Sequence, residues 1–312
     1  MVKKLTHAEF SRALATNSMA PKQLAEYVMF DPTSAVPKLV FRANVLSDIS
    51  PSDYNVDLQF CWYARMDNDK RFAERTAKKW ALIEGDSWFN LPTSLDYLAI
   101  GNAIKENNNI VPNIIACWGD TLQEILTKKQ QDEMDTELEK RPDYFMFTAG
   151  GNDMQKGLKA GTHVHRYDED PTRLPENYLT AEGKCELERI EAGYRSVFDK
   201  VTKRYPRLPI LCHGYGDPRP LQVKDGKNVV GQYIGQFLNE QGMPPHLWNP
   251  IMRAIVDKLD AVIQRVAGSY QGKVRYVNLR DTAGSFPEWP DDMHPDKDGF
   301  RILAHEFEKR MP

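Results

Sequence analysis

"WALIEGDSWF", Trp80 to Phe89, sets Gly85-Asp86-Ser87 directly behind an apolar run and ahead of an aromatic pair. A short apolar run closed by glycine fits a buried strand, since runs of about 4–8 residues bounded by Gly are strand-length rather than helix-length. A serine placed just past such a strand stands at the mouth of a sheet. Its partners are then expected at the ends of other strands.

Four further runs have the same form: "IVPNIIACWG" (110–119), "DYFMFTAGG" (143–151), "LPILCHG" (208–214) and "VRYVNL" (274–279). Between them lie segments with apolar residues at helical spacing, "LDYLAIGNAIKE" (95–106), "TLQEILTKKQQDEMDTELEK" (121–140), "AEGKCELERIEAGYRSVFDKVTKRY" (181–205) and "LWNPIMRAIVDKLDAVIQRVA" (247–267). A last helix, "KDGFRILAHEFEKR" (297–310), follows. Parallel neighbours need crossovers, so five strands separated by helices predict an α/β fold with a parallel sheet covered on both faces. Met154–Thr180 and Tyr215–His246 interrupt the alternation, and loops of that length usually form functional rims or lids.

Residues 1–75 read differently. "HAEFSRALA" and "PKQLAEYVMF" carry helical spacing, with Pro21 suited to a first turn, and the stretch from Val36 to Tyr54 breaks up around prolines. The expected organisation is a mainly helical N-terminal appendage over 1–75 and a main domain over 76–312. The appendage is read as a lid or packing layer on the main domain, with a partner-docking module as the other possibility.

Composition narrows the function. At 312 residues, with 41% hydrophobic and 27% charged residues, the chain resembles an ordinary soluble globular protein. Lys plus Arg number 41 against 44 Asp plus Glu, a formal net charge of −3, so nothing points to nucleic acid as the partner. No run approaches the roughly 18 apolar residues of a membrane span, and no apolar segment follows Lys3 and Lys4 as in a cleaved leader. A cytoplasmic location is the expectation, with export by another route left open. Cys61, Cys117, Cys185 and Cys212 are widely spaced, form no CxxC, and are expected as free thiols in a reducing compartment.

In an open parallel sheet, ligands bind beyond the carboxyl ends of the strands. There the sequence sets Ser87, then Gly119, then Gly150-Gly151-Asn152-Asp153, then His213, and finally Asp291, Asp292 and His294 in "WPDDMH". Acyl transfer needs a nucleophilic oxygen, a base, a group to orient the base, and oxyanion donors. Ser87 can be the nucleophile and His294 the base. Asp291 and Asp292 compete to orient it, and the three-residue spacing favours Asp291. The Gly119 and Ser87 N–H groups and the Asn152 amide can converge on an oxyanion.

"GDSW", Gly119, "GGND" and "DDMH", in that order, resemble the four blocks of the SGNH/GDSL hydrolase superfamily. The resemblance spans roughly Trp80 onward and leaves the first 75 residues unaccounted for. It implies a three-layer α/β/α sandwich with a flavodoxin-like five-stranded parallel sheet, and a serine esterase or lipase needing no cofactor and no metal. It assigns the nucleophile to Ser87, the base to His294, its support to Asp291 and the oxyanion hole to Gly119 and Asn152. One departure is Trp88 where the family commonly has leucine. The expected substrate is a small-molecule, lipid or carbohydrate ester. An acyltransferase or carbohydrate deacetylase using the same site, and a non-catalytic binding protein, are the alternatives.

Other polar residues have plainer readings. Asp86 is expected to shape the turn by local hydrogen bonds, and Asp153 to anchor its loop. Trp88 and His213 are candidates for the substrate pocket; His213 can equally be bonded to a loop. Phe89, Trp118, Tyr215 and Trp248 join Trp88 as a possible aromatic rim. His163 and His165 in "THVH" have metal-ligand spacing but no third ligand nearby, so surface histidines are expected.

Overall fold

The computed structural model describes residues 3–16, 18–31, 33–48, 56, 60, 79–104, 110–170, 172–224, 227–286 and 289–311 of the chain. In the N-terminal part, helix α1 (His7–Ala15) starts from a capping box, in which the Thr6 hydroxyl accepts from Glu9 N–H and Glu9 accepts from Thr6 N–H. Helix α2 (Pro21–Leu24) is a single turn. Strand β1 (Val28–Phe30) then pairs antiparallel with β2 (Leu39–Phe41). The helical expectation thus holds for both predicted segments, but the second stops early and a ribbon follows. Val28-Met29-Phe30 is the apolar end of "PKQLAEYVMF", and Asp31 ends it with an Asx turn, taking Thr33 N–H at 2.8 Å. Phe10 gathers Phe41 and Tyr27 at ring-centroid distances of 5.0 and 5.9 Å, giving this part an aromatic centre.

The main sheet begins with β3 (Lys79–Glu84), followed by the short helix α3 (Ile100–Ile104) and β4 (Ile110–Ile114). The predicted helix over 121–140 forms as two pieces, α4 (Leu122–Ile125) and α5 (Lys128–Glu139). Strand β5 (Tyr144–Phe147) leads into α6 (Gly151–Lys159), and the long α7 (Ala181–Arg204) into β6 (Ile210–His213). A ribbon of β7 (Leu221–Lys224) and β8 (Lys227–Val230) precedes α8 (Gly235–Glu240) and the long α9 (Pro245–Gly268). The chain then runs through β9 (Val274–Val277), α10 (Arg280–Gly284) and α11 (Lys297–Glu308). Both long interruptions therefore carry structure of their own, α6 in the first and the β7–β8 ribbon with α8 in the second.

The sheet order is β4-β3-β5-β6-β9 with every pairing parallel. Numbered along the sheet strands alone, this is 2-1-3-4-5, the flavodoxin-like order, with its switch point beside the first strand. From Trp80 to Glu84, and throughout β5 and β6, every residue is buried, so both faces are covered and the fold is the expected three-layer α/β/α sandwich. Register levels the strand ends: Glu84 lies beside Phe147, Phe147 beside Cys212, and His213 beside Val277. The loops that follow are thereby delivered to one rim.

Cysteine usage departs from expectation. Cys185 and Cys212 are free, the first exposed and the second buried, but Cys117 is disulfide-bonded. Cys61 lies outside the described residues. Wide spacing in sequence says nothing about proximity in the fold, so four free thiols did not follow from it. Among the described residues no helix is long and apolar enough to cross a membrane.

Candidate active site

Ser87 is carried by a turn that the residues around it define closely. Gly85 takes φ +151°, a conformation that disfavours a side chain, and a Cβ there would meet the Thr148 carbonyl. Asp86 is buried and does shape the turn: one carboxylate oxygen accepts Trp88 N–H at 3.0 Å, and its carbonyl accepts Phe89 N–H. Asn90 and Asn102 extend this framework. The Asn90 amide donates to the Ala116 carbonyl at 2.7 Å, and Asn102 donates to Asn90 at 3.1 Å while accepting Leu91 and Ala99 N–H. Nothing in the sequence marked these two asparagines, since their partners are set by how residues 90–102 loop back on themselves and meet the end of β4.

His294 meets Ser87 from the far end of the chain. Its Nε2 lies 2.8 Å from Ser87 Oγ, and its Nδ1 lies 2.9 Å from Asp291 Oδ2. Asp291 is itself fixed, because its Oδ1 accepts the N–H groups of Met293 and His294, each at 2.7 Å. Burial disfavours charge on both partners, yet their mutual attraction and hydrogen bonds prevail. Asp291 is held below the usual carboxylate range and His294 above the usual imidazole value.

The competition between the two aspartates is resolved by geometry. Asp292 faces away from the imidazole and takes three N–H groups, from Tyr233, Ile234 and Gly235, at 3.2, 2.6 and 3.0 Å. It pins the loop leading into α8.

On the oxyanion side, Gly119 sits at φ +81° and Asn152 in the first turn of α6. One N–H of the Asn152 amide goes to the Asp120 carbonyl at 2.7 Å, which orients the group and leaves its second N–H. Among the described residues, no backbone acceptor takes the N–H of Ser87 or Gly119. Asp153 anchors its loop as expected, accepting Leu122 N–H at 2.8 Å, and burial pushes its carboxyl up to about 6.

Two cavities flank the Ser87–His294 pair. The first is lined by Ser87, Trp88 and Asn152 together with Leu158, Ile255 and Leu259. The second is lined by His294 and Asp291 together with Tyr97, Tyr233 and, from the N-terminal ribbon, Phe30 and Pro37. Ser87 is only 1% exposed, so the nucleophile position is roofed rather than open.

Trp88, a candidate for the substrate pocket, lies in the wall of the first cavity. His213 does not line either cavity. It is buried beneath the rim, with Phe89 and Phe307 centroids at 5.0 and 5.5 Å, and its Nδ1–H donates to the Gly214 carbonyl at 2.5 Å. Burial pushes this imidazole down to about 4, so it is neutral near pH 7. Of the "THVH" pair, His165 is exposed, whereas His163 is buried against Gly157 with Nδ1 3.2 Å from the Met154 carbonyl. The surface reading fails for His163 because the loop folds back over α6. Among the described residues no group of three potential metal ligands gathers.

Tyr215, read from the sequence only as a rim aromatic, is a structural tie. Its hydroxyl donates to Asp86 at 2.6 Å and accepts Gly151 N–H at 3.2 Å.

Solved structures of similar fold include a phospholipase A1 from Streptomyces albidoflavus, at 16% identity and TM-score 0.44, covering 73% of this chain and 99% of its own. A lipase from a goat rumen metagenome matches at 12% identity and TM-score 0.46, covering 75% and 100%. An extracellular lipase from Streptomyces rimosus matches at 15% and 0.44, covering 73% and 99%. No curated protein matches the sequence. The model of the GDSL-like Lipase/Acylhydrolase family matches residues 85–302, well over half of the chain and every block of the site. The chain belongs to that family of ester hydrolases.

Proposed function

We propose that the protein cleaves carboxylic esters through an acyl-enzyme on Ser87. The observation that carries this reading is the continuous hydrogen-bond line from Ser87 Oγ through His294 to Asp291, at 2.8 and 2.9 Å. Ser87 Oγ attacks the ester carbonyl carbon while His294 Nε2 takes its proton. Asp291 keeps the other ring nitrogen protonated and stabilises the imidazolium that forms. The carbonyl oxygen, now an oxyanion, receives the N–H groups of Ser87 and Gly119 and the free N–H of Asn152. Collapse breaks the bond to the alcohol oxygen, which takes the proton from His294 and leaves. Water then repeats the sequence on the acyl-enzyme, releasing the acid and restoring Ser87.

The first cavity supports an apolar acyl group. Met154, Leu158, Val164, Ile255, Leu259 and Met293 give its wall an alkane-like surface, worth about 25 cal/mol per Å² of apolar area removed from water. The test compares wild type with Ser87→Ala on p-nitrophenyl esters of increasing acyl length. Turnover is expected to vanish in the variant, along with labelling by a fluorophosphonate. Activity persisting near the wild-type level in Ser87→Ala would overturn the assignment.

A further inference from the structure

We infer that the second cavity is the leaving-alcohol subsite, that the N-terminal ribbon builds one of its walls, and that it takes a sugar-like ring alcohol. The inference rests on the esterase reading and adds the substrate class.

Proton traffic decides which cavity is which. The leaving oxygen must receive its proton from His294 Nε2, so the alcohol departs on the imidazole side of Ser87. That is the side of the second cavity, which His294 and Asp291 line, whereas Asn152 and the serine itself line the first. An ester bound with its carbonyl oxygen at the Asn152 side therefore directs its alcohol toward Phe30, Pro37, Tyr97 and Tyr233.

The wall chemistry selects a ring. Phe30 and Tyr97 meet edge to face, with centroids 5.2 Å apart and planes at 77°. Pro37, Leu91 and Leu98 add flat or branched apolar surface beside them. Polar atoms gather at the margin, where Lys297 Nζ lies 2.7 Å from Asp96 Oδ1 and both side chains reach solvent. A pyranose fits this division, with one C–H face against aromatic rings and a hydroxylated edge toward a carboxylate and an ammonium. A linear alkyl alcohol would make no use of the charged margin, which is already paired and solvated. A planar aryl alcohol would use the rings and not the ion pair.

The ribbon contributes through Phe30 and Pro37, which belong to the segment the family resemblance left unaccounted for. The Pro37 carbonyl oxygen also occupies the space that a side chain at Gly119 would need, so this wall adjoins the Gly119 turn. Substrate choice on the alcohol side is thus written largely in residues 28–41 and in Tyr97.

The test uses the full chain and three esters of one acid: a mono-acylated glucose, the p-nitrophenyl ester and the ethyl ester. The glucose ester is expected to show the highest kcat/KM. Phe30→Ala and Tyr97→Ala are each expected to lower it about tenfold more for the glucose ester than for the ethyl ester. Lys297→Ala is expected to weaken the glucose ester and spare the p-nitrophenyl ester. A preference for the ethyl ester, or equal losses on all three esters in these variants, would overturn the subsite. Absence of turnover on every ester by wild type, with no fluorophosphonate labelling of Ser87, would instead overturn the esterase reading beneath it.

Discussion

The Tyr215 hydroxyl donates to Asp86 at 2.6 Å and accepts the Gly151 N–H at 3.2 Å, joining two turns from different strands. Asp86 immediately precedes Ser87 and Gly151 immediately precedes Asn152. One phenol oxygen therefore ties the turn holding Ser87 to the turn holding Asn152. Thr148 Oγ1, at 3.4 Å from the same oxygen, lies just past β5, as Gly151 does, and adds a second contact from that strand end. Burial pushes the Asp86 carboxyl up to about 6, and the Tyr215 hydrogen bond is the largest influence opposing that rise.

Tyr215→Phe keeps the ring packed on Gly151 and removes only this tie. A buried carboxylate left short of a donor costs about 1–3 kcal/mol. The expected result is a loss of that size in urea denaturation, with kcat lowered about tenfold or more as the two turns lose their spacing and KM changed far less. Unaltered kcat in the phenylalanine variant would show that the turns are held by their own backbones.

The pH profile follows from the Asp291–His294 pair. His294 acts as a base only when neutral, and burial, which alone would lower its pKa, is outweighed by Asp291. The acid limb of kcat/KM is therefore expected above the ordinary imidazole value of about 6.5. In Asp291→Asn the opposing burial prevails, so the limb moves to lower pH, while kcat falls by about 10³–10⁴ as the tautomer is lost. Linkage gives the matching stability window. The raised His294 contributes stability below about pH 6.5 and loses it as pH rises through its folded value, and the lowered Asp291 contributes above about pH 4 and loses it as pH falls through its own. Asp291→Asn is thus most destabilised, relative to wild type, between those limits. An acid limb that stays in place in the asparagine variant would assign it to another group.

What could be read from the chain was what is local or repeated. The runs at the centre of the sheet became strands because a strand buried on both faces must be apolar throughout, as Trp80–Ile83 and Tyr144–Phe147 are, whereas the edge strand Val274–Val277 keeps Arg275 exposed. Ser87, Gly119, Asn152 and His294 could be picked out as candidates from their places beyond the apolar runs. The choice between Asp291 and Asp292 could be ranked by spacing, yet Asp292's real occupation, three N–H groups of residues 233–235, was invisible because those donors sit some sixty residues earlier. The same holds for Tyr215 with Asp86, whereas His163 is buried against its near neighbours Met154 and Gly157 where the chain doubles back. His213 sat at the right strand end, but the aromatic packing that turns it inward arises from Phe89 and Phe307 on other elements. The β1–β2 ribbon was hidden because Val28-Met29-Phe30 continues a helical pattern that ends four residues sooner.

The contact between Pro37 and Gly119 supplies the most direct check on the N-terminal segment. Gly119 stands at φ +81°, where an L side chain is strained, and a Cβ there would run into the Pro37 carbonyl oxygen and press on Val36. An alanine must bear the left-handed conformation, about 1–2 kcal/mol, and also displace the segment that roofs the site. Gly119→Ala is therefore expected to lower the melting temperature and, under the proposed mechanism, to reduce kcat about a hundredfold, since the N–H assigned to the oxyanion moves with the backbone. The measurement is calorimetry on the full chain beside steady-state kinetics on one ester. A variant that melts lower but retains kcat would place the strain in the turn alone and take the Gly119 N–H out of the oxyanion hole. A variant with wild-type melting and turnover would show that residues 36–37 do not rest on this glycine in solution, and the N-terminal ribbon would then have no hold on the chemistry beneath it.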